Sequence, residues 1–198
     1  NLDKHVKNLQ SFGQTVVIAF NKFATDTDEE IEVLRKHCEE MGCGFAVNSA
    51  FAEGGKGAME LAELVVKTID EHPSAPLYFT YDDDEPVEKK IEDVALNLYG
   101  AGSVTLSDSA KSMIEEIKKL GAEKFPICIA KTQYSFSTDA KAYGPTEGFE
   151  LHVRDITVNM GAEMIVVIAG PIMRMPGLPK SPQAERIDVV NGEITGLS

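Results

Sequence analysis

An α/β fold is expected, with two strand–loop–helix units at the end of a parallel sheet followed by a smaller α+β domain. Three observations carry this. The run Val16-Val17-Ile18-Ala19-Phe20 is apolar without alternation, which suits a strand covered on both faces, as parallel strands are. A helix signal follows at once: Thr27 and Glu30 form a capping box, and Ile31, Leu34, Cys38 and Met41 recur at helical spacing. The unit then repeats, with Gly44-Phe45-Ala46-Val47 as a strand and residues 48–57 as a loop. Ala58, Leu61, Ala62, Val65 and Ile69 form the inner stripe of a second helix.

Right-handed crossovers make the two strands parallel and bring both loops to the carboxyl edge of the sheet, where open α/β sheets bind ligands. Phe23 and Phe51 lie in those loops. With strands about 5 Å apart, or roughly twice that if one strand intervenes, the two rings can face across a slot. A flat ring system between them would gain roughly 1–3 kcal/mol per stacked face. Alternatively, each ring plugs the top of the core.

A helix bearing Leu2, Val6 and Leu9 feeds the first strand. Two parallel strands are too few for a doubly covered sheet, so the chain reads as the carboxyl-terminal part of a longer protein with further strands upstream. A boundary is placed in Pro73-Ser74-Ala75-Pro76, giving one domain over residues 1–75 and another over residues 76–198. Leu77-Tyr78-Phe79 is a candidate short strand. The acidic run Asp82 to Glu85 complements the dipole of a helix whose first turn Pro86 suits. That helix continues through Val87, Ile91, Val94, Ala95 and Leu98 and stops at Gly100. The capping role accounts for the acids, and no metal site is assigned.

A β segment from Ser103 to Leu106 follows, then a helix opened by Ser107 or Asp108 and closed by Gly121, with Met113, Ile114, Ile117 and Leu120 inward. Pro126 to Ala130 is a buried strand, and Lys131 to Asp139 is a loop too rich in hydroxyls for a core. Phe149, Leu151 and Val153 alternate with Glu150, His152 and Arg154, so that strand shows one face to water. Met164 to Ile168 is a fully apolar strand. Residues 170–182 hold four prolines and two glycines and imply a fixed, extended loop. The end is a β-hairpin turning at Asn191-Gly192.

Of the 198 residues, 32 are acidic and 19 basic, a net charge of −13 with no basic stripe. Such a field disfavours nucleic acid and anionic membrane surfaces as partners. No apolar stretch approaches the length of a membrane span. Cys38, Cys43 and Cys128 have spacings that fit no zinc site and read as reduced, buried cysteines of a cytoplasmic protein.

Several residues are candidates for chemistry. Asn21-Lys22 ahead of Asp26 is similar to the base-reading Asn-Lys-x-Asp of P-loop GTPases, though at longer spacing, and would make the chain a guanine-nucleotide module. Gly54, Gly55 and Lys56 belong to a glycine-rich turn opening a helix, where backbone N–H groups and the ammonium could hold an anion. The alternative there is a flexible helix start. It is not a Walker loop, because Gly-Lys is followed by Gly57. The first helix suits phosphate less, since Asp28, Glu29 and Glu30 occupy its positive end. Lys131, after a buried strand, is a candidate active-site cation or a surface lysine. No pair among His5, His37, His72 and His152 has ligand spacing, and none is assigned catalysis.

Four segments in order resemble one family. They are residues 17–27 (Val17 to Thr27), 51–58 (Phe51 to Ala58), 126–132 (Pro126 to Thr132) and Met175-Pro176-Gly177-Leu178-Pro179. The chain resembles roughly the last third of formate–tetrahydrofolate ligase. The resemblance implies the end of a P-loop-NTPase-like sheet whose phosphate loop lies upstream. It implies that ATP phosphorylates formate and that formyl phosphate passes its formyl group to tetrahydrofolate. It also implies Mg with the ATP, a monovalent cation, and a homo-oligomer, a tetramer in the family. The pterin slot falls on Phe23 and Phe51, with Ala24 and Val47 lining it; catalytic residues are not assigned. Family members often carry Pro at the position of Ala24 and Trp at that of Phe51, so this loop is looser and offers less stacking area. The rival reading is a non-catalytic structural or assembly domain of a larger enzyme.

Overall fold

The computed structural model describes residues 1–172 and 180–196. Strand β1 (Val17–Asn21) pairs in parallel with β2 (Gly44–Asn48), in register from Val17 opposite Gly44 to Asn21 opposite Asn48. Helix α2 (Asp28–Glu40) makes the crossover, and the expected capping box fixes its start. Thr27 Oγ1 accepts from the Glu30 N–H at 3.3 Å, and Glu30 Oε2 accepts from the Thr27 N–H at 2.9 Å. Helix α1 (Leu2–Ser11) lies on the same face as α2, because Val6, Ile31, Cys38 and Phe45 share one core with Ile18 and Phe20.

Strand side chains alternate, so the opposite face carries Val17, Ala19 and Ala46. Helix α4 (Met59–Glu71) covers that face, with Leu64 standing beside Val17 against Gly44. Its inward residues are Leu61, Leu64 and Thr68, and none is fully buried. The expected stripe is thus displaced around the helix: Val65 and Ile69 face solvent. Double cover also fails along β1. Ala46 is 0% exposed, yet Ala19 beside it is exposed, because α4 sits over β2.

Residues 48–57 are not an open loop. They fold into a short helix α3 (Ala50–Glu53) and a 3-10 turn over Gly54–Ala58. Gly54, at φ +61°, makes the reversal between them.

The second sheet is mixed, in the order β3-β5-β6-β4. Strand β3 (Ser103–Leu106) runs parallel to β5 (Glu150–Asn159), which is antiparallel to β6 (Met164–Ala169), itself parallel to β4 (Ile127–Ala130). Leu151 and Val153 are buried and Glu150, His152 and Arg154 face water, as their alternation requires; a register shift between Val153 and Asp155 then turns Ile156 inward. Helices α5 (Val87–Asp93) and α6 (Asp108–Leu120) supply Ile91, Ile114 and Ile117 to this core. A π-helical turn, Val94–Tyr99, continues α5 and ends at Gly100 in the left-handed region.

Lys90 of α5 is 0% exposed. Its ammonium donates to the carbonyls of Glu123 (2.8 Å) and Phe125 (3.4 Å) and lies 5.7 Å over the Tyr81 ring. Leu77-Tyr78-Phe79 forms no strand. Among the described residues its backbone is tied only where the Tyr78 N–H donates to Phe12 O at 3.1 Å, and all three side chains are exposed. Cys38 and Cys43 are buried, which pushes both thiol pKa values up, but Cys128 is exposed. Cys128 sits on β4, one of the two edge strands, and lines a recess with Phe12, Tyr78 and Leu98.

The terminal hairpin of β7 (Asp188–Val190) and β8 (Glu193–Thr195) turns on Asn191 and Gly192, both at positive φ. Most of the proline-rich loop, with the segment Met175 to Pro179, lies outside the described residues. No described helix is long and apolar enough to cross a membrane.

Candidate functional site

The carboxyl ends of β1 and β2 are fastened to each other by a short chain of hydrogen bonds. Asn48 Nδ2 donates to Asn21 Oδ1 at 2.8 Å, and the Lys22 N–H donates to Asn48 O at 3.0 Å. The other side-chain atom of Asn48, Oδ1, accepts from the Ala50 N–H at 3.2 Å, opening α3. One asparagine therefore holds the first loop with one hand and the second with the other. Its role is tertiary: Asn48 ends a strand and resembles any polar strand terminus until the register against Asn21 is known.

The first loop is a tight turn. Asp26 Oδ2 accepts from the Phe23 N–H at 2.7 Å, and the Asp26 N–H donates back to Phe23 O at 3.2 Å, with Ala24 and Thr25 at the corner. Lys22 reaches Asp28 at 3.5 Å, so both charged residues near the turn brace it locally. Phe23 is left 70% exposed, and Phe51 on α3 is fully exposed. Neither ring plugs the core. The two do not stack on one another: the aromatic contacts among the described residues are His5 with Phe136 and Phe20 with Phe45. Val47 lies one residue before Asn48, opposite Phe20 in the ladder, and packs with Ile18 and Phe20 against the same core.

A recess of about 520 Å³ opens beside the first loop, walled by Phe20, Asp26, Glu29, Glu30, Val33 and Leu34. Asp26 and the acidic first turn of α2, to which both of its glutamates belong, make it unfavourable for an anion. The second loop offers more. Gly54, Gly55 and Lys56 are exposed at the turn, whereas Gly57 is buried with its carbonyl accepting from the Ser49 N–H at 3.0 Å.

Lys131 belongs to the other sheet. Its half-buried ammonium donates to Thr132 O at 3.1 Å and to Ser135 O, and lies 4.7 Å over the Tyr99 ring. Burial pushes its pKa below the ordinary lysine value. It lines a recess of about 180 Å³ with His5, Tyr99, Gln133 and Tyr134, which none of the aromatic-loop residues joins. The structure thus brings Asn21, Phe23, Ala24, Asp26 and Phe51 to one sheet edge with the glycine turn, and sets Lys131 apart from them.

Comparison with known proteins decides the family. The family model described as formate–tetrahydrofolate ligase matches residues 1–198. The chain belongs to the formate–tetrahydrofolate ligase family. A formate–tetrahydrofolate ligase of Bacteroides fragilis is 63% identical over 198 residues, covering 100% of this chain and 36% of that protein. One from Porphyromonas gingivalis is 56% identical over the same span and also covered to 36%. One from Campylobacter concisus is 48% identical over 200 residues, again with 36% of its length covered. The chain spans little more than a third of these ligases, in their carboxyl-terminal portion.

Proposed function

We propose that this chain forms the folate side of a formate–tetrahydrofolate ligase. Phe23 and Phe51 hold the pterin ring between them, with Ala24 and Val47 lining the slot. ATP, with Mg, phosphorylates formate on residues outside this chain's span. The folate amine then attacks the formyl carbon, and phosphate leaves with the bonding pair of the carbon–oxygen bond it gives up. Proximity is the contribution of this part, since a held amine replaces a collision. Asn21, Asp26, Gly54, Gly55, Lys56 and Lys131 are the candidate anion or nucleotide contacts. In this reading residues 1–75 close a P-loop-NTPase-like sheet, residues 76–198 form a second domain, and the enzyme is a cytoplasmic homotetramer that also takes a monovalent cation.

One observation supports the reading most. Two solvent-exposed phenylalanines stand just past Asn21 and Asn48, strand ends that are hydrogen-bonded to each other at 2.8 Å. Exposed aromatic rings on a braced edge are what stacking on a planar heterocycle needs. In the complete enzyme, Phe51→Ala is expected to raise the KM for tetrahydrofolate at least about fivefold, the low end of one lost stacking face. Phe51→Trp should lower it. Folate kinetics unaffected by either change would remove the assignment.

Asn48→Ala tests the brace rather than the rings. It removes the donor to Asn21 and the acceptor for Ala50 while leaving both phenylalanines in place. A three- to tenfold rise in the KM for tetrahydrofolate is expected, about 1 kcal/mol of lost positioning, with a smaller change in kcat. A large fall in kcat at constant KM would instead put Asn48 in the chemistry.

A further inference from the structure

Alternation sorts the side chains of β1 and β2 between two faces. Ile18, Phe20, Phe45 and Val47 belong to the core on the α2 face, so Asn21 and its ladder partner Asn48 point to the face that α4 covers. Ala50, the first residue of α3, meets the Asn48 side chain on that same face. The amide pair therefore stands at the base of both aromatic loops, with Asn21 two residues before Phe23 and Asn48 three before Phe51.

A side-chain amide has an accepting end and a donating end, and its partners decide which end faces where. Here the main chain decides. The Ala50 N–H can only donate, so the end of Asn48 that it meets at 3.2 Å is Oδ1. The remaining end of Asn48, Nδ2, can only donate, so the end of Asn21 that it meets at 2.8 Å is Oδ1. Asn21 thus turns Nδ2 away from Asn48, and among the described residues no acceptor meets it. Two hydrogen bonds in series fix the exposed end of Asn21 as a donor.

The other members of the Asn21-Lys22 and Asp26 pattern are engaged elsewhere. Lys22 reaches Asp28 at 3.5 Å. Asp26 Oδ2 closes the Phe23 turn at 2.7 Å, and the residue walls the recess beside Phe20 on the α2 face. Asn21 is the member of the pattern placed on the side of α3. Guanine and a pterin share the edge that such a pattern reads, an amino group between two ring nitrogens with a carbonyl beside them.

We propose that Asn21 sets the specificity of the aromatic slot by donating from Nδ2 to the carbonyl oxygen of the pterin's pyrimidine ring. This rests on the folate reading and names the polar contact within it. The amine that attacks formyl phosphate hangs from the other ring of the pterin, so that end stays at the mouth and the pyrimidine edge enters between Phe23 and Phe51. Asn21 meets this edge with a donor, and the carbonyl oxygen is the acceptor that sets a folate apart from its 4-amino analogue. An amino group in that place turns N–H toward N–H and leaves both without a partner.

The test compares tetrahydrofolate with its 4-amino analogue, in which an amino group replaces that carbonyl and the attacking amine is unchanged. Both are assayed as formyl acceptors with a full-length ligase carrying this sequence as its carboxyl-terminal portion. The kcat/KM for tetrahydrofolate should be at least about tenfold higher, as one matched hydrogen bond against one opposed pair requires. Equal values overturn the inference before any variant is made. Asn21→Asp keeps an acceptor for Asn48 Nδ2 and replaces the free donor by a second acceptor, so the ratio should fall by at least about tenfold. An unchanged ratio overturns the inference, whatever becomes of the KM for ATP. Failure of the folate reading has another signature: Phe51→Ala would leave kcat/KM for both acceptors unmoved. If Phe51→Ala lowers both equally while Asn21→Asp leaves their ratio alone, the slot stands and Asn21 does not read its occupant.

Discussion

Replacing Lys90 by alanine is expected to destabilise the protein by about 2–4 kcal/mol, as measured by urea unfolding. The loss has two sources. The carbonyls of Glu123 and Phe125 lose a charge-assisted donor at 2.8 and 3.4 Å in a place that water does not reach. The four-carbon stem of the lysine also fills space between α5 and residues 122–125, and alanine leaves that space empty. Lys90→Met keeps most of the volume and removes the charge, so it should cost less than half as much, consistent with apolar substitutes for buried ions. The pH dependence separates charge from packing. Burial pushes the Lys90 pKa below the ordinary 10.5, with Asp83, Asp84, Asp82 and Glu85 pulling it partly back. The unfolded chain therefore keeps its proton to higher pH than the folded one, and stability rises as pH climbs toward 10.5. Lys90→Met should lack that upward slope. Parallel pH profiles for the two proteins would show that Lys90 is not held against its charge.

The parts of this fold that the sequence discloses are those governed by neighbours in the chain. Thr27 and Glu30 are three residues apart, and their capping box forms as read. Gly100 and Gly121 end their helices in the left-handed region that glycine reaches without strain. Alternation along Leu151 to Arg154 sorts inside from outside because the strand period is fixed. What escaped reading depends on approach between distant segments. The apolar residues of α4 span a wide arc, and only its seat over β2 decides that Leu64 is inward and Ile69 outward. Leu77 to Phe79 have strand-forming side chains, but among the described residues their backbone hydrogen-bonds to a single carbonyl, that of Phe12. At the site, the two aromatic loops were legible from strand ends, whereas Asn48 was not, because its partner Asn21 lies 27 residues away.

Gly57 is the position where the smallest change should reach furthest. A Cβ there would lie 2.5 Å from the Ser49 carbonyl carbon and 2.6 Å from its oxygen. Those are backbone atoms, and they are themselves fixed by the Ser49 N–H bond to Gly57 O at 3.0 Å. No side chain can rotate out of the way, so Gly57→Ala must push the 3-10 turn off Ser49 and break that bond. The expected cost is about 2–3 kcal/mol, the upper range for overpacking. The displacement is carried into the proposed folate site, because Ser49 precedes α3 and α3 bears Phe51. In the complete enzyme the KM for tetrahydrofolate should therefore rise by about tenfold, the equivalent of roughly 1.4 kcal/mol. Gly55→Ala is the control within the same turn: a Cβ at Gly55 meets nothing within 4 Å, and its backbone is not in the left-handed region. That variant should stay within about 0.5 kcal/mol of the parent. If Gly57→Ala unfolds the protein no more readily than Gly55→Ala, the contact at Ser49 does not hold the second loop. If it destabilises yet leaves folate kinetics intact, Phe51 is not positioned by this turn and the aromatic edge loses its structural basis.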